Sequence, residues 1–279
     1  MAGTFLLRGM LVGIIAGLLC FSFLKVVGEP QVNRAIAFET QLDEAKAEAA
    51  AQALIAQGLA APKEEPEPEL VSRGVQAGIG LFIGVMIYNI AFGGLFALAF
   101  ALAYGRMGDF GPRSTAALMA ILGLIAVYVV PNLKYPANPP SVGDPATIGP
   151  RTALYFSMIA ISLAAMIAAG VLRLRLLPRY GAWNAFLIAA TAYLLVVIVV
   201  GLALPAVNEV PEGFPAVVLW QFRVASLGAQ VIMWITIGLV FGAVTERAQQ
   251  RAESRSVTPG PPRAPGRPGR VGSPRRTSG

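Results

Sequence analysis

Six stretches of this chain are apolar over a length that suits a bilayer, and that pattern constrains the fold more than any other feature. A helix rises about 1.5 Å per residue, so a hydrocarbon core of roughly 30 Å takes about 20 apolar residues. Segments 5–27, 79–104, 114–130, 153–172, 183–204 and 224–244 reach or approach that length. The third is the shortest, and Pro131 is expected to end it. None alternates with period two, which argues against a lipid-facing barrel. Only 13% of residues are charged, about half the share of a soluble domain. The expected fold is all-α: a polytopic bundle of six transmembrane helices within residues 1–247, plus one extramembrane helix in the first loop.

That loop, residues 28–72, is the only sizeable soluble part. Pro30 suits the first turn of a helix, where no amide donor is required. Residues 31–57 are rich in Ala, Glu, Gln and Leu, all good helix formers, and Gly58 suits the end. Val32, Ile36, Leu42, Ala45 and Ala49 make a weak apolar stripe for docking on the bundle or on a partner. An acidic, proline-rich spacer follows from Lys63 to Glu69. Residues 248–279 are dominated at their end by Arg, Pro, Gly and Ser and are expected to form a disordered basic tail.

Basic residues set the expected orientation, because Lys and Arg favour the cytoplasmic side. With both ends cytoplasmic, the inner side holds 14 basic and 3 acidic residues, and the outer side 8 basic and 12 acidic. The expected location is a bacterial cell membrane, crossed several times. Tyr104, Tyr180 and Trp183 fall near the inner boundary, and Tyr128, Tyr135, Tyr155 and Trp220 near the outer one.

Several chemistries are excluded. The chain has one cysteine, Cys20, and no histidine. It therefore has no internal disulfide, no Cys/His zinc site of its own and no histidine-dependent triad. It also lacks a phosphate-binding P-loop. No enzyme activity and no cofactor are expected. Within the spans the polar groups are few: Asn89, Ser157, Ser162, Thr191, Gln230 and Thr236. No charged residue sits mid-span, which disfavours an autonomous proton antiporter. Small residues at every fourth position (Gly9, Gly13 and Gly17; Gly74 and Gly78; Gly80 and Gly84; Gly238 and Gly242) predict close helix packing.

The remaining chemistry concentrates in three outward hairpins. Each carries proline, an acid, and an arginine where the chain returns: Glu29-Pro30 with Arg73, Pro131 to Asp144-Pro145 with Arg151, and Pro205 to Pro215 with Arg223. Spaced prolines reduce the conformations lost on ordering, which suits a rigid cap. Glu29, Asp144, Glu209, Asn138 and Asn208 supply oxygen donors there. Two uses are open. The arginines and acids pin the loops to the helix ends, or the oxygens admit a divalent cation. Oxygen ligands hold late first-row ions less tightly than nitrogen or thiolate, which suits passage more than storage.

The loop strings also carry a resemblance. Gly28-Glu29-Pro30-Gln31-Val32 with Ala35-Ile36 and Glu39, the run Leu133 to Pro145 with Thr147-Ile148 and Arg151-Thr152, and Pro205 to Pro211 with Phe214-Pro215-Ala216 and Phe222-Arg223 resemble the CbtA family of predicted cobalt transporter subunits. The likeness covers roughly residues 4–247 without the acidic spacer. It implies a membrane subunit for cobalt (Co2+) uptake linked to cobalamin synthesis. It also implies a small one-helix, histidine-bearing CbtB-like subunit as partner, beside the lipid bilayer. Self-association into a homo-oligomer stays open, and nucleic acid is not an expected partner. Family members often have histidine-rich first loops, and this chain has Lys63 to Glu69 in that place. Imidazoles then come from a partner, or oxygen suffices, or the cargo differs. The alternative function is a non-transporting membrane scaffold whose outer loops bind a partner.

Overall fold

A computed structural model of the chain describes residues 2–59, 71–140 and 142–257. The acidic spacer and the tail beyond residue 257 lie outside the described residues. Those described form helices and connecting loops, with no strand among them. Five helical stretches are long and apolar enough to cross a membrane: Gly3–Ala56, Arg73–Ala103, Pro112–Lys134, Pro145–Ala203 and Ala216–Ser254. Their outward faces are greasy. Leu102 is 72% exposed, Leu202 81% and Val199 62%. Side chains of this kind, exposed along every long helix, call for lipid as solvent. The chain is a multi-pass membrane protein.

The first stretch joins α1 (Ala2–Phe23) to α2 (Glu29–Ala56) through a π-helical turn, Leu24–Gly28. The third joins α5 (Pro112–Gly123) to α6 (Val130–Lys134) through another, Leu124–Val129. Each wide turn is followed at once by a proline in the first turn of the next helix, Pro30 or Pro131. A wide turn leaves one carbonyl without an amide, and proline supplies no amide, so the two defects coincide and the helix runs on. Pro131 therefore does not end its helix, contrary to expectation; the helix continues to Lys134. Between these pieces the short α3 (Arg73–Val75) leads through the turn Gln76–Gly80 into α4 (Leu81–Ala103).

α7 (Ile148–Ala203) spans 56 residues but is not straight. Gly181 adopts φ +72° and ψ 170°, a conformation that only glycine takes readily. Pro178 lies just before it. Ser162 Oγ lies 2.9 Å from Tyr193 Oη, whereas a straight helix would part those residues by about 46 Å. The segment is therefore a helical hairpin. Met158 of one arm and Tyr193 and Val197 of the other pack into one cluster with Tyr135.

α8 (Ala216–Val257) is the central packing element and runs past the boundary expected at residue 247. It lies antiparallel to α5: Gly242 meets Arg113 and Ala116, Gly238 meets Ala120, and Trp234 covers Gly123. It is also antiparallel to α1, with Phe241 near Phe5, Ala229 beside Cys20 and Gly228 against Phe23. Phe96, Phe100, Met233, Ile237 and Phe241 fill the core between them.

α1 and α4 make the tightest seam. A Cβ built on Gly9 would lie 2.1 Å from the Gly93 carbonyl oxygen, and one on Gly13 would lie 2.4 Å from that of Asn89. Gly17 meets Met86. The first glycine series thus packs as expected, and so do Gly238 and Gly242. Gly74, Gly78 and Gly84 do not, because nothing lies within 4 Å of their Cβ positions, and Gly80 meets only Val75 of its own segment. The surface of α4 that meets α1 is instead Met86, Asn89, Gly93 and Ala97. Two of the tyrosines placed at an interface by sequence are buried. Tyr128 Oη pairs with Ser226 Oγ at 2.8 Å, and Tyr135 Oη donates to the Pro205 carbonyl at 2.9 Å.

Candidate functional site

The proline-rich loops gather at one end of the bundle. α2 leans on them because Ala35 and Phe38 share a helix face, three residues apart. Ala35 packs with Val142, Phe214 and Val218, and the Phe38 and Phe214 rings meet edge to face at 5.1 Å. With Gln31 and Leu42 they form the stripe that α2 turns inward, at spacings of four, three and four. Of the expected stripe of Val32, Ile36, Leu42, Ala45 and Ala49, Leu42 belongs to this face, and Phe38, outside that stripe, makes the ring contact.

The three returning arginines each hold a loop. Arg73 forms an ion pair with Glu29 and donates to Asn33 Oδ1 at 2.9 and 3.1 Å. Arg151 lies 3.3 Å from Glu209 and donates to the Asp144 carbonyl at 3.1 Å. Arg223 donates to Asn138 Oδ1 at 2.9 Å and to the Ala137 carbonyl at 3.2 Å. The first hairpin is thus closed on itself. The second and third are latched reciprocally: the arginine after each reaches across to the other. The threefold likeness of the loops is not a threefold likeness of contacts.

Glu209 is the hub. It accepts from Thr147 Oγ1 at 2.7 Å and from the Asp144 amide at 2.8 Å, besides facing Arg151. The Thr147 hydroxyl, the Asp144 amide and the Arg151 guanidinium together hold its carboxyl below the usual carboxylate range. Asp144 Oδ1 accepts from Ala146 N at 2.8 Å and so caps the short turn Pro145–Thr147. Because the folded state favours the ionised Glu209, the latch stabilises the cap fully above the carboxyl's ordinary value of 4.5. That stabilisation is lost as pH falls through the depressed value. Limited proteolysis of the full chain in detergent is expected to cut the loops faster as pH drops below that range. Glu209→Gln should already show the faster cutting at neutral pH and lose this part of the pH dependence.

Asp144 and Glu209 line one cleft of about 300 Å³ with Glu39, Asp43 and Lys46 of α2. Three separate chain segments thus bring four carboxylates to one opening. Glu39 and Asp43 lie four residues apart, one helical turn, which is the signal that marks them as a pair. Lys46 is 3.4 Å from Asp43. Glu29 lies elsewhere, lining a second cavity with Gln230 and Ser226. Asn138 is spent on Arg223, and Asn208 is exposed. The five oxygen-bearing residues chosen from sequence are therefore dispersed over the cap. Among the described residues no three His, Cys, Asp or Glu side chains come together to hold a metal ion. An ion held in the cleft would be gathered by charge and would keep part of its water.

The model of the CbtA family, described as probable cobalt transporter subunit, matches residues 2–246. No curated protein and no solved structure matches the chain.

Proposed function

The chain belongs to the CbtA family of probable cobalt transporter subunits, and from that premise we propose that it is a six-span subunit of a divalent-metal uptake system, with cobalt as cargo and the proline-rich cap facing outward. The observation that carries the role of the cap is the cleft that Glu39, Asp43, Asp144 and Glu209 line. Four carboxylates against Lys46 and the nearby Arg151 raise the local concentration of a dication without holding it fast.

Two features support six crossings. The hairpin at Gly181 supplies two arms, each long enough to span. α8 runs antiparallel to α1, which requires an even number of crossings between the two ends. The excess of basic residues at the opposite end supports cytoplasmic termini and leaves α2 outside the membrane. A subunit needs a companion, and the absence of histidine here makes a small histidine-bearing membrane protein the fitting one.

A second reading, a membrane scaffold, draws on the arginine latches, which make the cap self-sufficient as a rigid surface. Uptake of labelled cobalt by cells with and without the chain separates the two, with the partner subunit present in both. Asp144→Asn with Asp43→Asn is expected to reduce uptake about tenfold at low cobalt while protein abundance is unchanged. Equal uptake by the double variant and the wild type would favour the scaffold.

A further inference from the structure

Beneath the cap, two clefts, both partly open at the protein surface, lie end to end along α8, the upper bordered by α2 and α4 and the deeper by α1 and α4. The one nearer the cap, about 260 Å³, is lined by Glu29, Val32, Phe222, Ser226 and Gln230. The deeper one, about 270 Å³, is lined by Cys20, Tyr88, Asn89, Gln230 and Met233. They share Leu24, Ala229 and Gln230, so they adjoin. Gln230 Nε2 donates to Tyr88 Oη at 3.3 Å across the deeper one.

Asn89 is the anomaly. It is 2% exposed, and its Nδ2 donates to the Val85 carbonyl at 2.9 Å. Its Oδ1 has no hydrogen-bond partner among the described residues. Loose packing is not the cause, because Gly13 and Gly17 draw α1 against α4 at this very level. A buried amide oxygen without a donor is costly, most of all inside a membrane. It is tolerated where something else comes to satisfy it, and polar groups at such depth commonly mark an ion's route. An amide oxygen has no proton to offer and attracts a cation. Cys20, whose thiol donates to the Ala229 carbonyl at 3.4 Å, and Met233 line the same cleft, and soft side chains of this kind incline it toward late first-row metals over magnesium.

We propose that the two cavities form one conduit leading from Glu29 to Asn89, and that its deep end is a resting station for a divalent transition-metal cation, with Asn89 Oδ1 and the Gln230 amide as oxygen donors. This deepens the uptake reading and rests on it. Glu29, held by Arg73 at the mouth, supplies a carboxylate oxygen within a neutral ion pair; the deep end supplies neutral donors from which an ion can leave.

Cys20 is the chain's only cysteine, so a thiol reagent reports on this cavity alone. The test uses right-side-out membrane vesicles carrying the full chain and its partner, and a cationic, membrane-impermeant methanethiosulfonate added outside. Cys20 is expected to react, and cobalt is expected to slow the reaction at least fivefold while magnesium at the same concentration does not. Asn89→Ala should keep the labelling rate and lose the cobalt protection. Failure of the impermeant reagent to reach a Cys20 that a lipid-soluble maleimide does modify would overturn the conduit. Labelling that cobalt leaves unchanged would overturn the station. Cobalt uptake in the same vesicles keeps the two levels apart: uptake with an unprotected Cys20 sinks only this inference, and absent uptake sinks the reading beneath it.

Discussion

Gly93→Leu is expected to unseat α1 from α4 and to lower the thermal stability of the purified protein by about 3 kcal/mol or more. A Cβ at Gly93 would lie 2.2 Å from the Gly9 carbonyl oxygen and 3.1 Å from the Gly13 Cα. Both are backbone atoms, so no side chain can swing aside and the helices themselves must part. In lipid there is little hydrophobic drive to bring them back, because close van der Waals contact is what holds such seams. Gly84→Leu, on the same helix but with open space around it, is the control, with an expected change within about 0.5 kcal/mol. Thermal unfolding in detergent compares the two. Similar losses in both would mean that α4 meets its neighbours by another face.

Gly181→Val is expected to spring the α7 hairpin. At φ +72° and ψ 170° a β-branched residue meets its own backbone, at a cost of about 1–3 kcal/mol. The strain falls where the two arms have only a short reach of chain to turn. Proximity of the arms is measurable by placing cysteines at Ser162 and Tyr193 in a Cys20→Ser background and joining them with a short bifunctional thiol crosslinker, since the native tyrosine hydroxyl bridges the gap to Ser162 Oγ at 2.9 Å and a direct disulfide would fall short without the ring. The crosslink should form readily with Gly181 and several-fold less with valine. Gly170→Val, with open space around it and no positive φ, should leave crosslinking unchanged.

Much of the helical plan was legible in the residues, because apolar blocks of bilayer length admit few other structures. The joins were harder. Pro30 and Pro131 read as a start and a stop, since proline ordinarily interrupts the amide ladder. Neither breaks its helix, because a π-turn sits before each, and nothing in composition announces a π-turn. Glycine spacing located the α1 surface but misplaced that of α4. Spacing reports where a helix is thin, and only the partner decides which thin face is used. In the cap, the arginines Arg73, Arg151 and Arg223 stood out at the points of return, yet the exchange of partners between the second and third loops depends on three-dimensional neighbourhood. For the same reason nothing in the sequence joins Glu39 and Asp43 to Asp144 and Glu209. They lie about a hundred or more residues away along the chain and meet them only because Phe38 docks on Phe214.

The functional account turns on which compartment each end of the bundle faces. Single cysteines at Asn208 and at Arg175, each in a Cys20→Ser background, can be probed in intact cells with an impermeant maleimide. Labelling at 208 and protection at 175 until the cells are opened is the predicted result. Equal labelling at both positions in intact cells would place the cap and the Gly181 turn in one compartment and contradict six crossings with an outward cap.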